Sequence, residues 1–164
     1  MELQQCWAHY VKAEQLLKQG HWPEAHYLFE QVLDSMPEHV QRALDKPQTK
    51  PYEFSCLITG LRDAAITQSK LLNQMGQFSK AFDVLNQTYA QIQFISLEQS
   101  QLVIALDSVL QQHTEELLQQ LAIFCSSQRS AQWMLEFEHL QKAHHYFAQL
   151  RCHRLAISHH PLLN

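Results

Sequence analysis

Eleven histidines stand in this chain of 164 residues, and six of them fall at or after His139. A metal centre is the chemistry such a cluster would serve. Glu136-Phe137-Glu138-His139 has Glu-x-x-His spacing, which puts both ligands on one helix face. Carboxylate-bridged di-metal bundles need two such motifs and two further glutamates on other helices. No second Glu-x-x-His occurs, nor any His-Glu-x-x-His. His145, Cys152 and His153 also share a helix face, but they span two turns, too far for one ion. The histidines therefore read as solvated or core-edge side chains, and no metal or other cofactor is expected.

Nucleophilic chemistry finds equally little. Cys6, Cys56, Cys125 and Cys152 fall in helical segments among apolar neighbours, where cysteine behaves as a small hydrophobe. No Cys-x-x-Cys pair exists, and scattered cysteines of this kind imply reduced thiols and a cytoplasmic setting. Asp63, Asp83 and Asp107 are lone mid-helix acids, expected to be solvated or groove-lining. Three glycines cannot build a phosphate-cradling loop. The expectation is a protein that is not an enzyme.

Charge and hydropathy bound the partners. The formal net charge is −4 with histidine neutral, and the pI is about 6.2, which argues against nucleic acid. The basic run Arg151-Cys152-His153-Arg154 reads as the cationic last turn of a helix. No signal-peptide pattern opens the chain. The longest apolar run, Leu102 to Leu106, is too short to span a bilayer. Neither nucleic acid nor a membrane is expected as a partner.

The elements that position these residues are helices. The only glycines are Gly20, Gly60 and Gly76, and the only prolines Pro23, Pro37, Pro47, Pro51 and Pro161. Helix interiors exclude both types, and strand-rich folds need many glycine turns. An all-α fold follows, as one domain over residues 1–157 with a frayed tail at 158–164. Six helices are predicted. The first runs from about Glu2 to Gln19, stopped by Gly20. The second starts at Pro23 and ends at Pro37. Lys46 to Pro51 is an exposed loop, with Glu38 to Asp45 free to form a short helix. The third runs from about Tyr52 to Met75, with Gly60 as a weak point, and the fourth from Phe78 to Phe94. Ser96 and Gln99 fit a capping box for the fifth. Leu102, Leu106, Val109, His113, Leu117 and Phe124 keep one phase, so 98–125 is expected as one long helix. The alternative is a turn in the polar stretch 111–116 with Thr114 as the next cap. The sixth helix runs to about Leu155, with Trp133, Phe137, Leu140, His144 and Phe147 as its stripe.

Two segments resemble each other. Around Gly20 and around Gly76, a helix-ending glycine is followed by an aromatic two residues on, Trp22 or Phe78, and by an alanine five residues on, Ala25 or Ala81. This pattern resembles the tetratricopeptide repeat, a helix–turn–helix unit. In the first copy Ala13, Gly20, Trp22, Ala25, Phe29 and Pro37 match the repeat's pattern. In the second, Ser69, Gly76, Phe78, Ala81 and Leu85 match, while Gln93 stands where the closing proline would be. The copies lie 56 residues apart, against a repeat of about 34, so roughly Glu38 to Thr59 interrupt the array. The resemblance implies antiparallel helical hairpins over about 2–37 and 53–95 in a right-handed array, followed by longer C-terminal helices at 97–157.

The resemblance also implies a function. Repeats of this family stack so that each unit's first helix lines a concave surface, which binds a peptide or helix of another protein. Here the first copy would offer Trp7, Tyr10, Glu14, Leu17 and Lys18, and the second Asp63, Ile66, Lys70, Asn73 and Gln74. The expectation is a protein-binding module, an adaptor or a chaperone, with a homodimer left open. A bacterial secretion-type chaperone is its narrower form, and a helical-bundle metal protein or enzyme is the alternative. Phe29, Leu85, Ala25 and Ala81 are expected to be buried between helices.

Overall fold

The structure, a computed structural model, describes residues 1–159. The described residues are all-α, in seven helices: α1 Leu3–Lys18, α2 Trp22–Asp45, α3 Pro51–Gln74, α4 Phe78–Ile95, α5 Gln101–Ala105, α6 Asp107–Ser127 and α7 Ala131–His159. The chain divides into two compact units, Met1–Thr88 and Tyr89–Asn164. None of these helices is long and apolar enough to cross a membrane.

In the first unit α1 packs along α2, and α2 along α3. The two glycine turns have one construction. Gly20 has φ of +82° and Gly76 of +75°. After α1, Gly20 N–H donates to Leu17 and His21 N–H to Leu16. After α3, Gly76 N–H donates to Asn73 and Gln77 N–H to Leu72. Both are Schellman closures, which satisfy carbonyls the helix would otherwise leave open. Nothing lies within 4 Å of a methyl group placed on Gly76, so only the backbone penalises a side chain there. Gly76→Val is expected to cost on the order of 1–2 kcal/mol in urea unfolding, and Gly76→Asn less, because Asn tolerates the left-handed region. Equal losses would show that the penalty is not conformational.

Beside these turns the small and large residues interlock. Ala13, Ala25, Phe29 and Ala81 have no accessible surface, and Leu85 is 2% exposed. Ser69 Oγ donates to the Ala81 carbonyl at 2.8 Å, joining α3 to α4.

Pro37 does not end the second helix, which runs on to Asp45 with Pro37 inside it. Val32 and Met36 before the proline and His39 and Val40 after it are all buried. They form one apolar stripe, and packing along it offsets the roughly 3 kcal/mol that an interior proline costs. His39 Nε2 and Ser35 Oγ both reach the Met1 carbonyl, at 2.8 and 3.3 Å. The lengthened α2 thereby pins the segment ahead of α1. The loop at 46–50 forms as expected, and Pro51 takes a first helical position in α3.

In the second unit α6 packs along α7. The expected single helix over 98–125 is broken at Leu106, whose φ of −103° and ψ of 13° are not helical. Leu106 closes α5 and opens α6 at once, so the apolar phase survives the break. The polar stretch 111–116 is helical throughout. Ser96 is not the cap either. Its hydroxyl is buried and donates to the Gln93 carbonyl at 2.6 Å, and Ser100 Oγ accepts from Val103 N–H instead. The stripe Trp133, Phe137, Leu140, His144 and Phe147 is half-buried along α7, with Trp133 meeting Phe124 edge-on at 5.2 Å between centroids. Helix α7 passes Leu155 and continues to His159, so the expected fray at 158–159 is helix, while 160–164 lie outside the described residues.

Candidate functional site

The ten residues expected on the first-helix face fall into two groups. Trp7 and Tyr10 are half-buried and committed to packing. Tyr10 meets Trp7 edge-on at 5.7 Å between ring centroids and Phe29 at 6.1 Å. The Trp7 indole lies against Gly60 of α3, and a methyl group there would stand 2.5 Å from Trp7 Cη2. Gly60 is therefore not a weak point of α3 but the seat of the indole, and it sets α1 beside α3. Burial first, then the Glu14 and Asp63 carboxylates, raise the Tyr10 hydroxyl well above its ordinary pKa. Trp7 thus rests on α3 and Tyr10 on Phe29 of α2, and both rings remain half-buried.

Gly60→Ala tests the seat of the indole. An interior alanine ordinarily gains about 1 kcal/mol over glycine in a helix. Here the methyl collides with a stiff indole, so the expected result is no gain, together with a changed near-ultraviolet Trp signal. A plain stabilisation with an unchanged signal would remove the contact.

Toward the C-terminal ends of the same two helices the face is accessible. Glu14 and Lys18 on α1 and Lys70 and Gln74 on α3 are exposed, while Leu17, Ile66, Asp63 and Asn73 are half-buried. Asp63 is held by its neighbour Arg62, at 2.8 Å from Nη2. What remains is two lysines, a glutamate and amides over the half-buried Leu17 and Ile66.

No family model, curated protein or solved structure matches this chain.

A site missed in the sequence lies at the other end of the first unit. The start of α1, the end of α2 and the start of α3 enclose a pocket of about 500 Å³. Leu3, Trp7, Ala43 and Leu57 give its apolar lining, and Arg42, Lys46, Glu2 and Glu53 its charges. Reading α2 as ending at Pro37 hid it, because His39, Arg42 and Ala43 were then connection rather than wall.

The second unit holds a buried polar cluster. Tyr89 Oη and His144 Nδ1 are hydrogen-bonded at 2.7 Å, Gln93 Nε2 donates to Tyr89 Oη at 3.0 Å, and it lies 3.2 Å from His144 Nδ1. Further along α7, Arg154 donates to the Ser96 carbonyl and to Asp107 Oδ1, the latter at 2.5 Å. Arg151 Nε lies 3.8 Å from that same oxygen. Both arginines are buried, so the run 151–154 is not a solvated cationic helix end.

Burial holds His144 below its ordinary value of 6.5, with Glu115 opposing and Arg151 adding. An unfolded histidine titrates near that ordinary value, so below it the unfolded chain binds a proton that the folded chain refuses. Stability is expected to fall as pH drops below about 6.5 and to be level in this respect above it. Comparing wild type with His144→Gln across pH 5 to 8 (roughly the histidine range) isolates the contribution. Identical slopes would contradict it.

The cysteines divide. Cys6 and Cys125 are buried, whereas Cys56 and Cys152 are exposed, so the expectation of four core thiols holds for two. Burial pushes the Cys125 thiol up to about 11, with Glu136 adding to it. Cys6 is raised by burial as well. Glu136 and His139 are both exposed on α7. Among the described residues, no three His, Cys, Asp or Glu side chains gather where one ion could sit.

Proposed function

We infer that Met1–Thr88 is a tetratricopeptide-like pair of helical hairpins, and that it binds a peptide or helix of a partner protein on the face shared by α1 and α3. The observation that carries this reading is the Trp7–Gly60 contact. It sets the first helix of one hairpin beside the first helix of the next, the arrangement in which stacked repeats present a common surface. The matching closures at Gly20 and Gly76 and the buried Ala25, Phe29, Ala81 and Leu85 support it.

The binding residues are Glu14, Leu17, Lys18, Ile66, Lys70, Asn73 and Gln74. Leu17 and Ile66 supply apolar contact, and the lysines and amides can pair a peptide's carbonyls and carboxylates. Trp7, Tyr10 and Asp63 shape the surface from beneath. Tyr10→Ala is thus a stability variant as much as a binding one, and Lys70→Glu, at an exposed position, is the cleaner probe. Selection of random 12-residue peptides on the purified chain (a length of about 40 Å when extended) tests the reading. The expected result is a convergent sequence whose binding weakens at least about tenfold in Lys70→Glu. A selection that converges on nothing sinks it.

A further inference from the structure

The pocket at the far end of the first unit carries chemistry that the α1–α3 face lacks. Its volume, about 500 Å³, lies within the range of about 300–1,000 Å³ typical of ligand sites. Its apolar lining comes from all three helices: Leu3 and Trp7 of α1, Ala43 of α2, and Leu57 of α3. Its charges are arranged by element. The end of α2 and its cap bring the cations Arg42 and Lys46, while the N-cap of α1 and the first turn of α3 bring the carboxylates Glu2 and Glu53.

Two signs in equal number disfavour a simple ligand. A phosphate or lone carboxylate would meet the two glutamates, and a free cation the two bases. A neutral apolar body between charges of both signs meets neither penalty. Among the described residues Arg42 is held by Glu38, one turn back on α2, at 2.5 Å with both side chains more than half exposed. Such surface pairs contribute little, so Arg42 can turn to a carboxylate from outside at small cost. The pocket shares Trp7 with the joint that sets α1 beside α3, so it lies at one end of the same pair of helices.

We propose that this pocket receives a bulky apolar side chain, aromatic in size, of the peptide bound along α1 and α3, flanked in that peptide by an acidic residue toward α2 and a basic residue toward the N-cap of α1 and the first turn of α3. This rests on the peptide-binding reading and adds the anchor and its charge order. Aromatic anchors in desolvated pockets dominate most interfaces of this kind.

Cys56 lines the pocket and is exposed, and Cys152 on α7 is exposed and does not line it. Cys56 therefore serves as a reporter and Cys152 as its reference, with Cys6 and Cys125 buried. The purified full chain is equilibrated with small disulfides built on one cysteamine linker, some carrying indole or naphthyl groups and others morpholine or hydroxyethyl groups. Reductant is raised until Cys152 is clear, and each thiol is read by peptide mass spectrometry. The expected result is retention of the aromatic members at Cys56 by about tenfold over the polar ones, and loss of that preference in Ala43→Trp, which fills the pocket. Should Ala43→Trp fold poorly by circular dichroism, Glu53→Trp, at an exposed first-turn position, fills it from the other side. The same ranking at Cys56 and Cys152 overturns the proposal while leaving the α1–α3 face standing. The selected 12-residue peptide is then added, and it should slow iodoacetamide alkylation of Cys56 but not of Cys152. Aromatic preference at Cys56 with no protection by the peptide overturns the peptide as occupant, and failure to select any peptide overturns the reading on which it rests.

Discussion

Asp107→Asn is expected to destabilise the second unit by about 3–5 kcal/mol, the cost of breaking a buried ion pair from one side. Arg151 and Arg154 are 6% and 3% exposed, and both meet the single oxygen Asp107 Oδ1. Amide replaces carboxylate with little change of shape, so the loss is electrostatic rather than steric. The two guanidiniums are not equivalent. Arg154 also donates to the backbone carbonyls of Ser96 and Glu98 behind α4, so it ties three segments together. Arg151 sits farther from the carboxylate, and its Nη1 has no hydrogen-bond partner. Arg151→Met should therefore be neutral or mildly stabilising alone, and should recover part of the loss in the Asp107→Asn background. Hydrogen exchange over α6 and α7 with denaturant unfolding reads both effects. A loss below about 1 kcal/mol, the worth of an exposed pair, would show that the charges are solvated.

Phe29→Ala carries the second large effect, in the first unit. The ring is fully buried and meets Tyr10 edge-on. Val32 and Met36 lie one and two turns on along the same buried face of α2. Removing the ring leaves a cavity between packed helices, and such truncations cost about 3–5 kcal/mol. Phe29→Leu, which keeps most of the volume, should cost less than half as much. Amide exchange should quicken over α1 and α2. An equal effect of Leu and Ala would mean that shape against Tyr10 matters more than volume.

What could be read from the sequence was local. Gly20 and Gly76 end helices because the left-handed residue of a closure is set by its own turn. Ala25, Phe29, Ala81 and Leu85 follow at fixed steps from those turns, and their burial follows with them. Pro23 starts a helix for an equally local reason. The misreadings hinge on packing and backbone geometry that the local residue pattern does not show. Pro37 is a helix stop by itself and is carried through only because His39 and Val40 continue the stripe of Val32 and Met36. Leu106 keeps perfect helical phase, so the break there leaves no mark in the apolar pattern, and Asp107 gains its meaning from Arg154. Gly60 reads as a defect until Trp7 is placed against it. Of the ten residues expected on the binding face, the sequence placed all on α1 and α3. It did not separate Trp7 and Tyr10, spent on packing, from Lys18 and Lys70, which are not. The pocket near Cys56 left no signal except the surplus of charged residues between Glu38 and Lys50, which the apparent helix stop at Pro37 assigned to a connection.

The most direct measurement is a backbone nitrogen–proton correlation spectrum of the chain, labelled with nitrogen-15, as the selected peptide is titrated in. The expected shifts cluster on Glu14, Leu17 and Lys18 of α1 and on Ile66, Lys70, Asn73 and Gln74 of α3, and they vanish in Lys70→Glu. Shifts confined to other helices, or none at saturating peptide, would contradict a binding face between α1 and α3.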